Sequence, residues 1–185
     1  MIPAIETERL RVRALAETDA EGVERVLGTP RDEWLRWTVG GYSQLDELKQ
    51  PPYGERAVER RSDGALVGLV GLVPCLAPFG LIPGLEDAGD PRRFRPEVGL
   101  YWATAPAERG QGYAGEAAAA LIAHGFEALR LSRIVATTEH RNAASISVMR
   151  KLGMRIESNP GPLPEWFQVV GVNKWCQAPF IHPPP

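Results

Sequence analysis

Arg109-Gly110-Gln111-Gly112 stands between a run of strand character and the strongest helix former in the chain. Strand, glycine-rich turn and helix in that order can bind an anion. The first N–H groups of a helix have no partner within it, and the helix dipole adds roughly half a positive charge at that end. Gly110 and Gly112 let the backbone curl toward a phosphate or pyrophosphate with no Cβ in the way, and Arg109 can add a charge-assisted contact. A tight turn with no ligand is the alternative use of the same glycines. Two nucleotide-binding patterns fail on the letters. A P-loop needs Gly-Lys-Ser/Thr at the helix start, and here Gly112 is followed by Tyr113 and Ala114. A dinucleotide fold places its glycine turn in the first strand-helix unit, whereas this loop follows four predicted strands.

The elements that must position the loop can be read from periodicity. Leu10, Val12 and Ala14 alternate with Arg11 and Arg13, which predicts a half-buried first strand. Thr18 or Asp19 caps a helix carrying Val23, Val26 and Leu27, and a second helix carries Trp34, Leu35 and Trp37, with the tryptophans expected in the core. Arg56–Arg61 and Ala65–Val73 predict a hairpin turning at Ser62-Asp63-Gly64. Pro74 to Pro96 is rich in Pro, Gly and charge and predicts a long connection, a kind that is often functional. Its apolar run from Leu76 to Ile82 can line a pocket, belong to the core or form a dimer face. Glu97 to Ala105 is a strand, Ala114 to Leu129 a helix and Ile134 to Thr138 a strand. Asn142 caps a helix that runs to Lys151 and stops at Gly153. Met154–Ser158 and Trp166–Trp175 supply two last strands. We expect one domain over 1–178 and a Pro-rich tail over 179–185.

Composition narrows the function. With 185 residues, 44% of them hydrophobic and 24% charged, the chain is sized for one globular core. A net charge of -2 argues against an overall basic nucleic-acid binder. Cys75 and Cys176 lie far apart and read as reduced thiols that pack, and His124, His140 and His182 have no ligand spacing, so no metal is expected. The uncharged stretch from Ala65 to Leu85 is long enough to span a membrane, but Pro74, Pro78 and Pro83 would break the helix. The charged N-terminus resembles no signal peptide, so a cytoplasmic location is expected, with no membrane and no nucleic-acid partner.

The stretch from Tyr101 to Ala117 resembles motif A of the GNAT superfamily of N-acetyltransferases, whose pattern Arg/Gln-x-x-Gly-x-Gly/Ala is filled by Arg109, Gly112 and Ala114. Asn142-Ala143-Ala144-Ser145 with Val148 to Met154 is similar to the Asn-x-x-Ser...Lys-x-Gly-Phe/Met segment of the ribosomal-protein acetyltransferase (RimJ/RimL-like) branch. Glu6 to Arg13 is similar to that branch's opening strand. Two departures stand out. Trp102 to Pro106 is one residue longer than the branch's commonest form, and the 74–96 connection is long where acceptor specificity is often set.

The resemblance implies an α/β (α+β) GNAT fold: a mixed, mostly antiparallel sheet of six to seven strands, flanked by about four helices and splayed between the fourth and fifth strands. It implies acetyl-CoA as co-substrate and a primary amine as acceptor, a peptide N-terminus or a small molecule, in a monomer or homodimer. The pantetheine arm would lie along Ala103, Thr104 and Ala105, with an N–H near Thr104 stabilising the oxyanion. Arg109, Gly110, Gln111, Gly112, Tyr113, Ala114 and Gly115 would cradle the pyrophosphate. Asn142 would bind pantetheine as well as cap its helix, and Ser145 would reprotonate or hold the departing sulfur, unless it only satisfies local backbone. Arg141, Arg150 or Lys151 could meet the ribose 3'-phosphate. Glu97 is the first candidate base and Glu139 the second; the plain alternative for Glu97 is a solvated carboxylate at a strand end. A non-catalytic acyl-CoA sensor with the same fold is the other reading.

Overall fold

A computed structural model describes residues 3–86, 88–161 and 164–175. Cys176, His182 and the expected tail over 179–185 lie outside the described residues. One sheet runs through the rest, in the order β1-β2-β3-β4-β5-β6-β8-β7. Its strands are β1 (Ile5–Glu6), β2 (Leu10–Ala14), β3 (Gly54–Arg60), β4 (Leu66–Ala77), β5 (Arg95–Thr104), β6 (Arg133–Thr138), β7 (Arg155–Ser158) and β8 (Val169–Lys174). The eighth strand beyond the expected six or seven is the two-residue β1, too short to show a period. Every pairing is antiparallel except that of β5 with β6.

Among the described residues, four α-helices cover the two faces. α3 (Tyr113–Glu127) and α4 (Ala143–Lys151) close one face over Leu72, Leu100, Ile134 and Ala136. α1 (Ala20–Leu27) and α2 (Asp32–Glu47) close the other over Ala57, Leu69 and Ala105. Along α2 the stripe Trp34, Leu35, Thr38 and Tyr42 faces inward, as spacings of three and four residues require. Trp37 falls on the opposite side of that helix and is 78% exposed, contrary to its expected place in the core.

β4 runs four residues past the expected Val73 and includes Pro74. The strand tolerates proline there because β3 has already ended opposite Leu72, so a missing N–H breaks no ladder on that side. Of the apolar run that follows, Phe79 and Ile82 are fully buried and pack with Leu85 against Phe167, Val170 and Val172. Phe79 meets Phe167 edge to face, ring centres 5.2 Å apart. This part of the long connection is core, and only Leu76 stays exposed.

The α3 face buries two basic groups together. Arg56, 1% exposed, donates to the carbonyls of Pro3 and Pro52 at 3.2 and 3.5 Å and has no carboxylate partner among the described residues. Burial pulls its pKa down to about 10. His124 has a buried Nε2 with no hydrogen-bond partner, and burial, then Arg56, lowers its pKa below the ordinary 6.5. A lowered histidine leaves stability intact above the unfolded value and removes it as pH falls through the folded value, because the unfolded chain takes up the proton first. The melting temperature should therefore fall as pH drops from about 7.5 to about 5.5, and His124→Leu should flatten that slope; thermal melts of both proteins across this range measure it.

Candidate coenzyme and acceptor site

β5 and β6 run parallel and are paired at one position, Gly99 with Val135. On its other edge β5 is laddered to β4 throughout, from Arg95 opposite Ala77 to Thr104 opposite Gly68. From Leu100 to Thr104 the β6-facing edge of β5 therefore has no strand partner. Unmatched N–H and C=O groups along such an edge form a template for one more extended chain. Because the strands are parallel, both deliver their C-terminal ends to the same side of the sheet, where ligands of α/β sheets collect. β5 leads there into the glycine loop and β6 into α4, so Arg109 to Gly115 and the first turn of α4, with Asn142 and Ser145, stand at the same end of the gap.

The loop's shape follows from two backbone angles. Gly110 and Gly112 have φ of 80° and 83°, a left-handed conformation that costs any residue with a Cβ roughly 1–2 kcal/mol. Nothing but the Arg9 side chain lies within 4 Å of a Cβ built at either glycine, so conformation and not crowding requires them. Gly112 is the N-cap of α3 and has no side chain to offer the helix. Among the described residues, no protein acceptor takes the N–H groups of Gly110 to Gly115. Glu116 is the first to bond back, to the Gly112 carbonyl at 3.1 Å. Arg109 is exposed and makes no ion pair among the described residues.

The loop is held by residues that sequence reasoning passed over. Arg9 reaches across from the start of β2 and donates to the Gln111 carbonyl at 3.0 Å. It bonds the Glu116 carboxylate at 2.6 and 2.7 Å, and its guanidinium lies 4.9 Å from the Tyr113 ring centre. The Thr7 hydroxyl and Arg9 N–H also donate to Glu116. Partial burial would raise the Glu116 pKa, but these bonds outweigh it and hold the carboxyl below its ordinary value. On the other flank Arg60 joins Glu108 at 2.9 Å and Asp63 at 2.7 Å, tying the β3–β4 turn to the loop. The signal for Arg9 and Glu116 was present as charges beside the motif, but their partnership spans 107 residues.

At the mouth, Asn142 caps α4 by accepting the Ser145 N–H at 3.0 Å. The Ser145 hydroxyl, half-buried in the first turn, has no partner among the described residues. Glu139 is taken by Arg141, which also stands 3.7 Å from Glu165. Below the gap, on the sheet face that carries α1 and α2, a cavity of 360 Å³ is lined by Cys75, Gly99, Tyr101, Val135, Thr137 and Trp166. Burial, and then Glu97 across the ladder, pushes the Cys75 thiol up, so it stays protonated and is a poor nucleophile. A larger cavity of 790 Å³ starts at Gly112 and Gly115 and follows α3 to Phe126, with Lys151 and Trp175 on its rim.

Glu97 lies at the opposite, closed end of the gap, paired across the ladder with Cys75. Both its oxygens are engaged by the Arg133 guanidinium, and its side chain is 8% exposed. Seven residues of extended strand put roughly 23 Å between Glu97 and Thr104. A base at Glu97 and an oxyanion donor near Thr104 therefore cannot serve one carbonyl, and the two expectations do not hold together. Among the described residues no cluster of His, Cys, Asp or Glu could hold a metal ion, and no helix is long and apolar enough to cross a membrane.

Comparison with known proteins gives this arrangement its family. Residues 9–155 match the model of the acetyltransferase (GNAT) domain. The chain is 28% identical over 167 residues to the uncharacterized N-acetyltransferase YoaA of Bacillus subtilis, covering 85% of each protein. A 61-residue stretch is 44% identical to the uncharacterized N-acetyltransferase YnaD of the same organism, which is 33% of this chain and 35% of that protein. Among solved structures, an acetyltransferase from Agrobacterium tumefaciens superposes with a TM-score of 0.66 at 24% identity, over 95% of this chain and 96% of that one. The ribosomal L7/L12 α-N-protein acetyltransferase RimL, solved with coenzyme A, gives 0.63 at 16% identity over 92% and 96%. With its glycine loop, gapped parallel pair and overall topology inside a match that spans most of its length, the chain belongs to the GNAT family of acetyltransferases.

Proposed function

We propose that this protein transfers the acetyl group of acetyl-CoA directly to a primary amine, the N-terminus of a protein or a small-molecule amine. The observation that carries the reading is the open edge of β5 between the glycine loop and Gly99. A pantetheine arm is an extended chain with amide groups, and that edge offers it a strand's worth of partners. Arg109 and the N–H groups of Gly110 to Gly115 receive the pyrophosphate. Ala103, Thr104 and Ala105 then bind the upper part of the arm, and the thioester lies deeper than Thr104, toward Gly99 and Tyr101, where the 360 Å³ cavity admits the acceptor. An N–H of β5 at that depth stabilises the oxyanion. The Asn142 amide nitrogen is left for pantetheine while its oxygen caps α4. Lys151, on the rim of the cavity that starts at Gly112, is the best placed of the three basic candidates for the 3'-phosphate. Arg141 is already held by Glu139.

No covalent enzyme intermediate is needed. The amine nitrogen attacks the thioester carbonyl, the nitrogen of the tetrahedral intermediate gives up its extra proton to solvent, the oxyanion collapses with cleavage of the C–S bond, and the thiolate takes a proton from Ser145, which regains it from water, or from a water that Ser145 holds. An α-amine with a pKa near ~8 yields enough free base near neutral pH to make strong general-base help unnecessary. The three sequence segments similar to the RimJ/RimL-like branch support a protein α-amine as one class of acceptor. A cytoplasmic monomer or homodimer fits this role.

Acetyl-CoA offered with N-terminal peptides, polyamines and aminoglycosides, with thiol release as the readout, tests the function; coenzyme binding with no release for any amine would leave a sensor, not an enzyme. Gly112→Val should weaken acetyl-CoA at least about tenfold in calorimetry while the circular dichroism stays native, because a β-branched residue cannot hold φ near 83°. Ser145→Ala should lower kcat by about 10²-fold or more with acetyl-CoA affinity within about twofold; an unchanged kcat returns the serine to its helix turn. For Glu97→Gln the ion pair predicts a loss of about 1–3 kcal/mol in stability, read by denaturant unfolding, with kcat changed by less than about tenfold. A larger fall in kcat with unchanged stability would restore Glu97 as the base.

A further inference from the structure

Arg9, in the turn between β1 and β2, is the point at which the N-terminal hairpin grips the glycine loop. Its Nη1 donates to the Gln111 carbonyl at 3.0 Å, and its other two nitrogens hold the Glu116 carboxylate at 2.6 and 2.7 Å. The guanidinium lies 4.9 Å from the Tyr113 ring centre, and Nη2 stands 3.5 Å from the place a Cβ would take on Gly112. Glu116 is fixed in turn from the same hairpin, by the Thr7 hydroxyl and the Arg9 N–H. The side chain that reaches Gln111 is therefore anchored at both ends.

The atom that Arg9 holds decides which way the loop's amide faces. A trans peptide is planar, with its C=O and N–H pointing in opposite directions. Fixing the Gln111 carbonyl on the Arg9 side turns the Gly112 N–H to the other side, where no protein acceptor among the described residues takes it. Gly112 has φ 83° and ψ 1°, the angles that a type II turn puts at its third residue. The peptide before such a residue can flip by about 180° to the type I form, which reverses the sign of φ, and glycine accepts both signs. Once flipped, it would present a carbonyl oxygen where the N–H now stands and would repel an anion. The glycine that permits the cradle thus also permits its inversion, and the bond from Arg9 selects between the two. The same guanidinium balances the Glu116 carboxylate, a negative charge in the first turn of α3.

We propose that Arg9 is a positioning residue for the coenzyme: by holding the Gln111 carbonyl it keeps the Gln111–Gly112 peptide turned so that the Gly112 N–H faces the diphosphate. This rests on the loop's being a diphosphate cradle and adds the residue that orients it. Arg9 acts through the loop backbone, not by contact with the coenzyme.

Calorimetry of coenzyme A binding compares wild type with Arg9→Met, Glu116→Gln, the double variant and, as a control, Arg61→Gln. Arg61 ties down the same hairpin, donating to the Thr7 carbonyl at 2.7 Å, and bonds no residue of the glycine loop among those described. Arg9→Met should weaken coenzyme A by about ten- to a hundredfold, the loss expected for one hydrogen bond to a charged group. In turnover the KM for acetyl-CoA should rise by the same factor, with kcat and the KM for the amine within about twofold of wild type. Arg61→Gln should keep its affinity within about twofold, since it loosens the hairpin without releasing Gln111. If the guanidinium only balanced Glu116, the double variant would bind as tightly as Glu116→Gln; the expected result is binding at least about fivefold weaker. Equal affinities in those two, unchanged affinity in Arg9→Met, or an equal loss in Arg61→Gln would overturn the proposal. Should Arg9→Met fail to fold, Arg9→Lys takes its place, because one ammonium cannot span both the Gln111 carbonyl and Glu116. Wild type that binds coenzyme A no more tightly than pantetheine would overturn the cradle itself and this proposal with it. Wild type that binds coenzyme A yet acetylates nothing would remove the transferase reading alone, and the calorimetry would still decide the role of Arg9.

Discussion

The rest of the site depends on an incomplete ladder. β5 and β6 are adjacent and parallel, yet they share one register pair, and beyond it the backbone of β5 faces no strand. Exposing a row of amides is costly inside a fold and hazardous on its surface. The protein keeps the row short and confines it to the five residues after Gly99. Each flanking strand is fully laddered on its other side, β5 to β4 and β6 to β8. The gap is thus set into a rigid frame, and the long β4 running past it on one side and the antiparallel β6–β8 pair on the other stop it from zipping shut.

What the gap opens onto is equally constrained. The glycine loop must hold two left-handed residues with one residue between them and leave the first turn of α3 unsatisfied, a conformation with little intrinsic stability. Its support comes from outside. Arg9 bridges Gln111 and Glu116 while covering Tyr113, and Arg60 holds Glu108. These contacts tie the loop to the first two long strands, so a cradle assembled from backbone is rigid before any ligand arrives, which lowers the ordering cost of binding.

The two faces of the sheet divide the work. The α3/α4 face is apolar core, closed around buried Arg56 and His124. On the α1/α2 face the core is interrupted near Tyr101, and there the cavity and the protonated Cys75 are found together. The segment Phe79 to Leu85 packs Phe79, Ile82 and Leu85 under the lower part of this face, so this part of the long connection works as a plug. Its apolar residues were visible in sequence, but nothing local says that an apolar loop will fold under a sheet.

By itself the sequence determined the features whose causes are local. The order of strands and helices, the Asn142 cap and the need for glycine at positions 110 and 112 all follow from periodicity, capping and φ. The likeness of Tyr101 to Ala117 to a known motif placed the coenzyme loop on the chain. Only the tertiary structure decided which charges are taken. Glu97 and Glu139 look like free carboxylates in sequence, and each is held by an arginine. The reason is physical: a side chain's availability depends on partners that register and packing bring from distant parts of the chain, and no short window of residues contains them.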